Sequence, residues 1–282
     1  QHDGQVAAEA IRLLEENKDR PFFLAVGFYR PHDPFHSPKQ YFEPYSLDTL
    51  PLPQAPDDRT PEVRYALPGG GFQKAFDEFT DRERREFLRA YFAGVSFVDA
   101  QVGRLLETLD RLQLTQRTIV VFLGDHGYEL GVRNWWNKNT LFERSCRTPL
   151  IIHAPGFGGT GPVSRSLVEF VDLYPTLADL CGLETPQNLA GVSLRRILEN
   201  PDQEVKDAAF TTVQRGPVNG LSIRTDRFRF TQWNQGQEGV ELYDHTQDPG
   251  EWYNLAERPD FAKTVRELSA RLDQFRETFV DR

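Results

Sequence analysis

Thr118-Ile119-Val120-Val121-Phe122-Leu123-Gly124-Asp125-His126-Gly127 is the stretch that decides the fold. Its first six residues are β-branched or apolar with no polar alternation, the pattern of a strand buried on both faces, as in a parallel sheet. Open parallel sheets bind ligands just beyond the C-terminal ends of their strands. The strand ends in a carboxylate and an imidazole held between two glycines. Asp125 and His126 can offer an oxygen and a nitrogen to one divalent cation, and the glycines let the backbone turn tightly and come close to it. The competing reading is that Asp125 caps the next turn and His126 is an ordinary polar residue.

Upstream, Thr80-Asp81-Arg82-Glu83 has the capping-box pattern, and the apolar stripe from Phe87 to Leu109 predicts a long helix that gives way near Gln113. Before it, residues 5–17 predict a helix, and Phe22-Phe23-Leu24-Ala25-Val26-Gly27-Phe28 predicts another strand buried on both faces. Strand, helix, strand is a crossover unit, which makes the sheet parallel with helices on its faces. The earlier strand runs into Tyr29-Arg30-Pro31-His32-Asp33-Pro34-Phe35, where two prolines impose an irregular loop. His32 is there either a held proton donor or a surface histidine. Residues 36–79, rich in Pro, Asp and Gly, form a long surface excursion.

Downstream, Lys138 sits in Trp135-Trp136-Asn137-Lys138-Asn139-Thr140-Leu141-Phe142, as a point charge for an anion or as a solvated lysine lying over tryptophan. A third strand follows at 149–153, a Gly-rich loop at 156–161 and a helix around 167–180. Beyond Pro201 the pattern changes to four short strands (210–213, 221–224, 228–233, 241–243) and a closing helix after Pro259. The expected architecture is α/β: a mostly parallel sheet flanked by helices over residues 1–200, and a small α+β subdomain, antiparallel sheet plus helix, over 201–282.

The net charge of -9 argues against a general nucleic-acid binder, which needs a basic face. No run approaches the roughly 18–20 apolar residues of a membrane span. Cys146 and Cys181 make no disulfide framework and match no zinc spacing, and both read as core-type or semi-buried. The chain has no Met and no basic-plus-apolar leader, so processing or fragmentation is expected.

Several segments together resemble the signatures of the sulfatase family, in the alkaline phosphatase superfamily, in the right order. They are the Val26-to-Phe35 run, Gly124-Asp125-His126-Gly127-Tyr128-Glu129-Leu130-Gly131, Trp136-Asn137-Lys138 with Phe142, Arg147-Thr148-Pro149-Leu150-Ile151 and Ala154-Pro155-Gly156. Tyr91-Phe92-Ala93-Gly94-Val95-Ser96-Phe97-Val98-Asp99 matches the long helix, and Leu242-Tyr243-Asp244, Asp248-Pro249 and Asn254-Leu255-Ala256 match the C-terminal subdomain. The Asp-His pair and the Gly-Phe-Tyr-Arg-Pro-His run look most like the iduronate-2-sulfatase branch.

The resemblance implies an alkaline-phosphatase-like fold, a calcium ion (Ca2+) held partly by Asp125 and His126, and His32 and Lys138 on the sulfate of a sulfated carbohydrate. It implies an exported protein and a formylglycine nucleophile made from the cysteine of a Cys-x-Pro-x-Arg motif. Neither cysteine here has that context, and the family's N-terminal aspartates are also absent, so the expectation is a chain truncated before its nucleophile and inactive by itself. Val132-Arg133-Asn134 stands where relatives usually have Glu-His-Gly, and Tyr128 where the iduronate-2-sulfatase branch has Trp. A phosphatase or phosphodiesterase of the same superfamily, and a non-catalytic remnant that binds sulfated glycans, are the competing readings.

Overall fold

A computed structural model describes residues 1–158 and 161–279. The expected Gly-rich loop thus lies partly outside the described residues, at 159 and 160. In chain order the helices are α1 (His2–Asn17), α2 (Gly71–Asp77), α3 (Asp81–Arg111), α4 (Glu143–Cys146), α5 (Leu173–Leu180), α6 (Arg195–Glu199) and α7 (Ala262–Phe279). The strands are β1 (Val120–Leu123), β2 (Leu150–His153), β3 (Ala209–Arg215), β4 (Val218–Arg224), β5 (Phe228–Trp233) and β6 (Val240–Asp244). They fall in two compact units, Gln1–Pro53 with Ala75–Val120, and Gln54–Lys74 with Val121–Arg282.

In the first unit α3 begins at the expected capping box. Thr80 Oγ1 accepts the Glu83 N–H at 3.3 Å, and Glu83 Oε2 accepts the Thr80 N–H at 2.7 Å, which satisfies two of the helix's orphan donors. The helix stops before Gln113, whose φ of 56° is left-handed. Leu14 of α1 meets Leu109 and Leu114, and Phe22, Leu24 and Val120 pack on that cluster.

The strand expected at 22–28 is corrected. This segment belongs to no sheet, and its residues alternate between half-buried and exposed, with Phe23 86% exposed. An apolar run becomes a strand only when a neighbouring backbone pairs with it, and among the described residues none does. Burial of the next strand on both faces is corrected too, because Phe122 and Leu123 of β1 are exposed. β1 and β2 are hydrogen-bonded neighbours in a sheet that has two strands among the described residues. Cys146 is half-buried, whereas Cys181 is exposed where α5 ends, which corrects its expected burial.

In the second unit the strands expected beyond Pro201 form an antiparallel sheet in the order β3-β4-β5-β6. Strand periodicity sorts its residues onto two faces. Leu221, Ile223, Phe230 and Leu242 form one face and are covered by Leu268 and Leu272 of α7. The opposite face carries Ser222, Arg229, Thr231, Glu241 and Tyr243, all buried, together with Trp233. Leu141 and Phe142 pack against Trp233 and Tyr243 on that face, so both faces of the sheet are covered.

Glu241 illustrates what burial does to a carboxyl on this covered face. Removal from water pushes it up to about 7, although Trp233 Nε1 and Tyr243 Oη donate to it at 2.8 and 2.9 Å. The folded protein therefore holds this proton more tightly than the unfolded chain. The group's contribution to stability is whole below its ordinary value of 4.5 and is lost as pH rises through about 7. Glu241→Gln keeps the shape and cannot ionise. Its stability relative to wild type is expected to rise by about 2–3 kcal/mol between about pH 5 and about pH 8. Thermal melts across that range check this, and a gap independent of pH would refute it.

Candidate active site

β1 delivers Asp125 and His126. The Gly124 N–H still bonds to the Pro149 carbonyl at 3.2 Å, so the chain leaves the sheet only after that residue. Asp125 Oδ1 accepts the His126 N–H at 3.0 Å, and His126 Nδ1 lies 2.7 Å from the Gly127 carbonyl oxygen. A carbonyl only accepts, so Nδ1 carries the hydrogen and in the neutral ring Nε2 holds the lone pair. Nε2 is 3.6 Å from Asp125 Oδ2. Two electron-rich atoms thus face each other across a gap that a divalent cation about 2.0–2.6 Å from each can bridge. A backbone acceptor on the far ring nitrogen is also the usual support of a metal-binding histidine. The donors fit a cation, but they are two of the six to eight that calcium takes. Imidazole is also a less usual calcium donor than oxygen. Gly127 has to be glycine, because a methyl there would collide with the Arg144 carbonyl, and its N–H donates to the Ser145 carbonyl at 2.9 Å.

Lys138 occupies the same stretch of chain. The Glu129 N–H bonds to the Asn137 carbonyl at 3.1 Å, Tyr128 Oη donates to the Trp136 carbonyl at 2.9 Å, and Trp135 Nε1 donates to the carbonyl of Lys138 itself at 2.9 Å. Trp135 and Trp136 are both buried, so the lysine backbone is fixed while its side chain is half-buried. Among the described residues no ion pair takes its amine. Glu129 is fully buried, accepting from Thr140 Oγ1 at 2.7 Å and Ser145 Oγ at 3.2 Å. Burial pushes its carboxyl up from the ordinary range.

His32 belongs to the first unit. Its Nδ1 lies 2.7 Å from the Asp33 carbonyl oxygen and 2.9 Å from Asp33 Oδ1, which puts the hydrogen on Nδ1 and leaves Nε2 unencumbered. The loop is built around a residue that the pattern reading did not single out. Buried Asp3 accepts the N–H groups of Tyr29 and Arg30 at 2.9 and 3.1 Å. Arg30 in turn donates to the His36 and His32 carbonyls at 2.8 and 2.9 Å. A long-range side-chain cap of this kind leaves no periodic trace in sequence.

A second cluster has metal-ligand chemistry. Glu143, His245 and Glu251 bring ligand atoms within 4.8 Å of one another. Its cation is already there, because Arg229 donates to Glu143 Oε2 at 2.5 Å and to Glu251 Oε1 at 2.8 Å. Burial works to raise both carboxyls, but Arg229 together with Arg224 and His245 around Glu143, and with His245 and the Glu143 N–H around Glu251, leaves both below the ordinary range.

The family model described as Sulfatase matches residues 1–183, and that described as N-sulphoglucosamine sulphohydrolase, C-terminal, matches 131–278. A sulfatase of Formosa agariphila is 30% identical over 98% of this chain and 54% of its own length. Human iduronate 2-sulfatase is 37% identical over 65% of this chain and 40% of its own. A solved structure in complex with its substrate D-glucosamine-2-N,6-O-disulfate superposes with a TM-score of 0.86 at 21% identity, covering 99% of this chain and 70% of that one. The phosphonate monoester hydrolase of Silicibacter pomeroyi also has a TM-score of 0.86, at 26% identity, covering 100% of this chain and 61% of that one. The chain belongs to the sulfatase family and has its alkaline-phosphatase-like fold. It spans about half the length of the curated relatives it matches.

Proposed function

We propose that the protein is a sulfuric ester hydrolase acting on a sulfated sugar, with iduronate-2-sulfatase-like chemistry. The observation that carries this reading is the Asp125–His126 pair, whose free oxygen and lone-pair nitrogen face each other at 3.6 Å at the end of β1. In this reading the two residues hold a divalent ion, calcium by the family resemblance, which when bound neutralises charge on the sulfate. Lys138 supplies a fixed positive charge to the sulfate oxygens, and His32 gives a proton to the departing sugar oxygen. The nucleophile comes from outside these 282 residues, since neither Cys146 nor Cys181 stands in a Cys-x-Pro-x-Arg context. The chain alone is then inactive.

Asp125→Ala is expected to abolish stoichiometric metal in the purified full-length gene product, as measured by elemental analysis, which also identifies the metal. Full metal content in the variant would overturn the assignment. The likeness to a phosphonate monoester hydrolase supports a second reading, hydrolysis of a phosphorus ester. The kcat/KM ratio of the full-length gene product on p-nitrophenyl sulfate and phenyl phosphonate esters decides between the two. A preference for the sulfate is expected, and a preference for the phosphonate would favour the alternative.

A further inference from the structure

The geometry points to Glu251 as a positioning residue that grips both ends of the loop carrying Lys138. This inference rests on the anion-binding role proposed above for that lysine. At the start of the loop, Arg133 is turned inward by a left-handed backbone, φ 56°, and its side chain is 2% exposed. Its guanidinium stacks between the rings of Phe142 and Trp252, 3.8 and 4.6 Å from their centroids. There it donates to the Gly250 carbonyl at 2.8 Å and also to the carbonyl of Glu251. At the end of the loop, Glu251 Oε2 accepts the Glu143 N–H at 2.7 Å. Glu251 is itself left-handed, φ 58°, a conformation that costs a non-glycine residue about 1 kcal/mol. Its other carboxylate oxygen is fixed by Arg229 at 2.8 Å and His245 Nε2 at 2.9 Å. One buried residue thus holds the two feet of a thirteen-residue arch, 131–143, with its backbone at one foot and its side chain at the other. Every strong contact in the grip is buried or charge-assisted, which is where such bonds are strongest and least forgiving.

The consequence is that Arg133 and Glu251 act on the reaction through Lys138 without touching the substrate. A displacement of about 1 Å at a reacting group costs up to about 10²-fold in rate. In the full-length gene product, Arg133→Met is expected to lower kcat on an aryl sulfate by roughly 10–100-fold, and Arg133→Lys to recover part of that. Because both changes act on the same lysine, the double variant Arg133→Met/Lys138→Ala should be no slower than Lys138→Ala alone. Multiplying losses, or a wild-type rate for Arg133→Met, would overturn the inference. A near-normal rate for Lys138→Ala would instead defeat the role of Lys138 itself, a separate outcome. Should Arg133→Met fail to fold, Arg133→Lys serves in amide exchange on the 282-residue chain. Faster exchange confined to 131–143 is expected, and exchange unchanged there would refute the grip.

Discussion

On the proton-donor role proposed for it, His32→Ala in the full-length gene product is expected to slow hydrolysis of an alkyl sulfate by about 10²–10⁴-fold and that of a nitrophenyl sulfate far less. The difference follows from the leaving group. A sugar or alkyl oxygen departs as a strong base and needs a proton in the transition state, whereas nitrophenolate departs readily without one. With Nδ1–H committed to Asp33, His32 acts as a donor in its imidazolium form, whose second proton sits on the open Nε2. The dependence of kcat on leaving-group pKa, measured for wild type and variant, should therefore be steeper in the variant. Equal losses on both esters would assign His32 to binding and remove it from proton transfer.

The second large effect concerns stability. Arg229 is 3% exposed and neutralises two carboxylates, Glu143 and Glu251, at 2.5 and 2.8 Å. Arg229→Met strips buried Glu251 of its arginine and leaves half-buried Glu143 with only Arg224 at 3.4 Å, a loss of about 3–5 kcal/mol. Urea unfolding should show a lower midpoint at an unchanged slope. Adding Glu251→Gln removes one of the stranded charges, so the double variant should recover part of the loss. A midpoint within error of wild type would mean that the cluster contributes nothing net. Against their burial, Arg229 with its neighbours Arg224 and His245 holds these carboxyls below their ordinary range, so the contribution is present above about pH 4.5 and fades as pH falls through their folded values.

Sequence pattern reached those features whose cause is local. The capping box at Thr80, the helix predicted from the stripe between Phe87 and Leu109 and the short strands beyond Pro201 each arise from neighbours a few residues apart, and each element is found where the pattern places it. Asp125 and His126 stand where the pattern puts them, after a strand and between two glycines, and their role as metal ligands is the proposal made above. What escaped is non-local. A charge at position 133 reads as a solvated loop residue, and only Phe142, Trp252 and the Glu251 carbonyl turn it into a buried anchor. Asp3 lies ahead of the helix predicted at 5–17 and nothing local marks it, yet its carboxylate caps a loop twenty-six residues away. The segment at 22–28 has the composition of a strand, but composition cannot supply the backbone that would pair with it.

That unpaired segment, with the exposed apolar side chains of Phe122, Leu123 and Ile151 on the two-stranded sheet, has a practical consequence for anyone handling this polypeptide. Open backbone edges flanked by bare hydrocarbon are templates for intermolecular pairing. Each such edge is expected to make the polypeptide sticky: prone to precipitate, to bind hydrophobic dyes and to occupy chaperones.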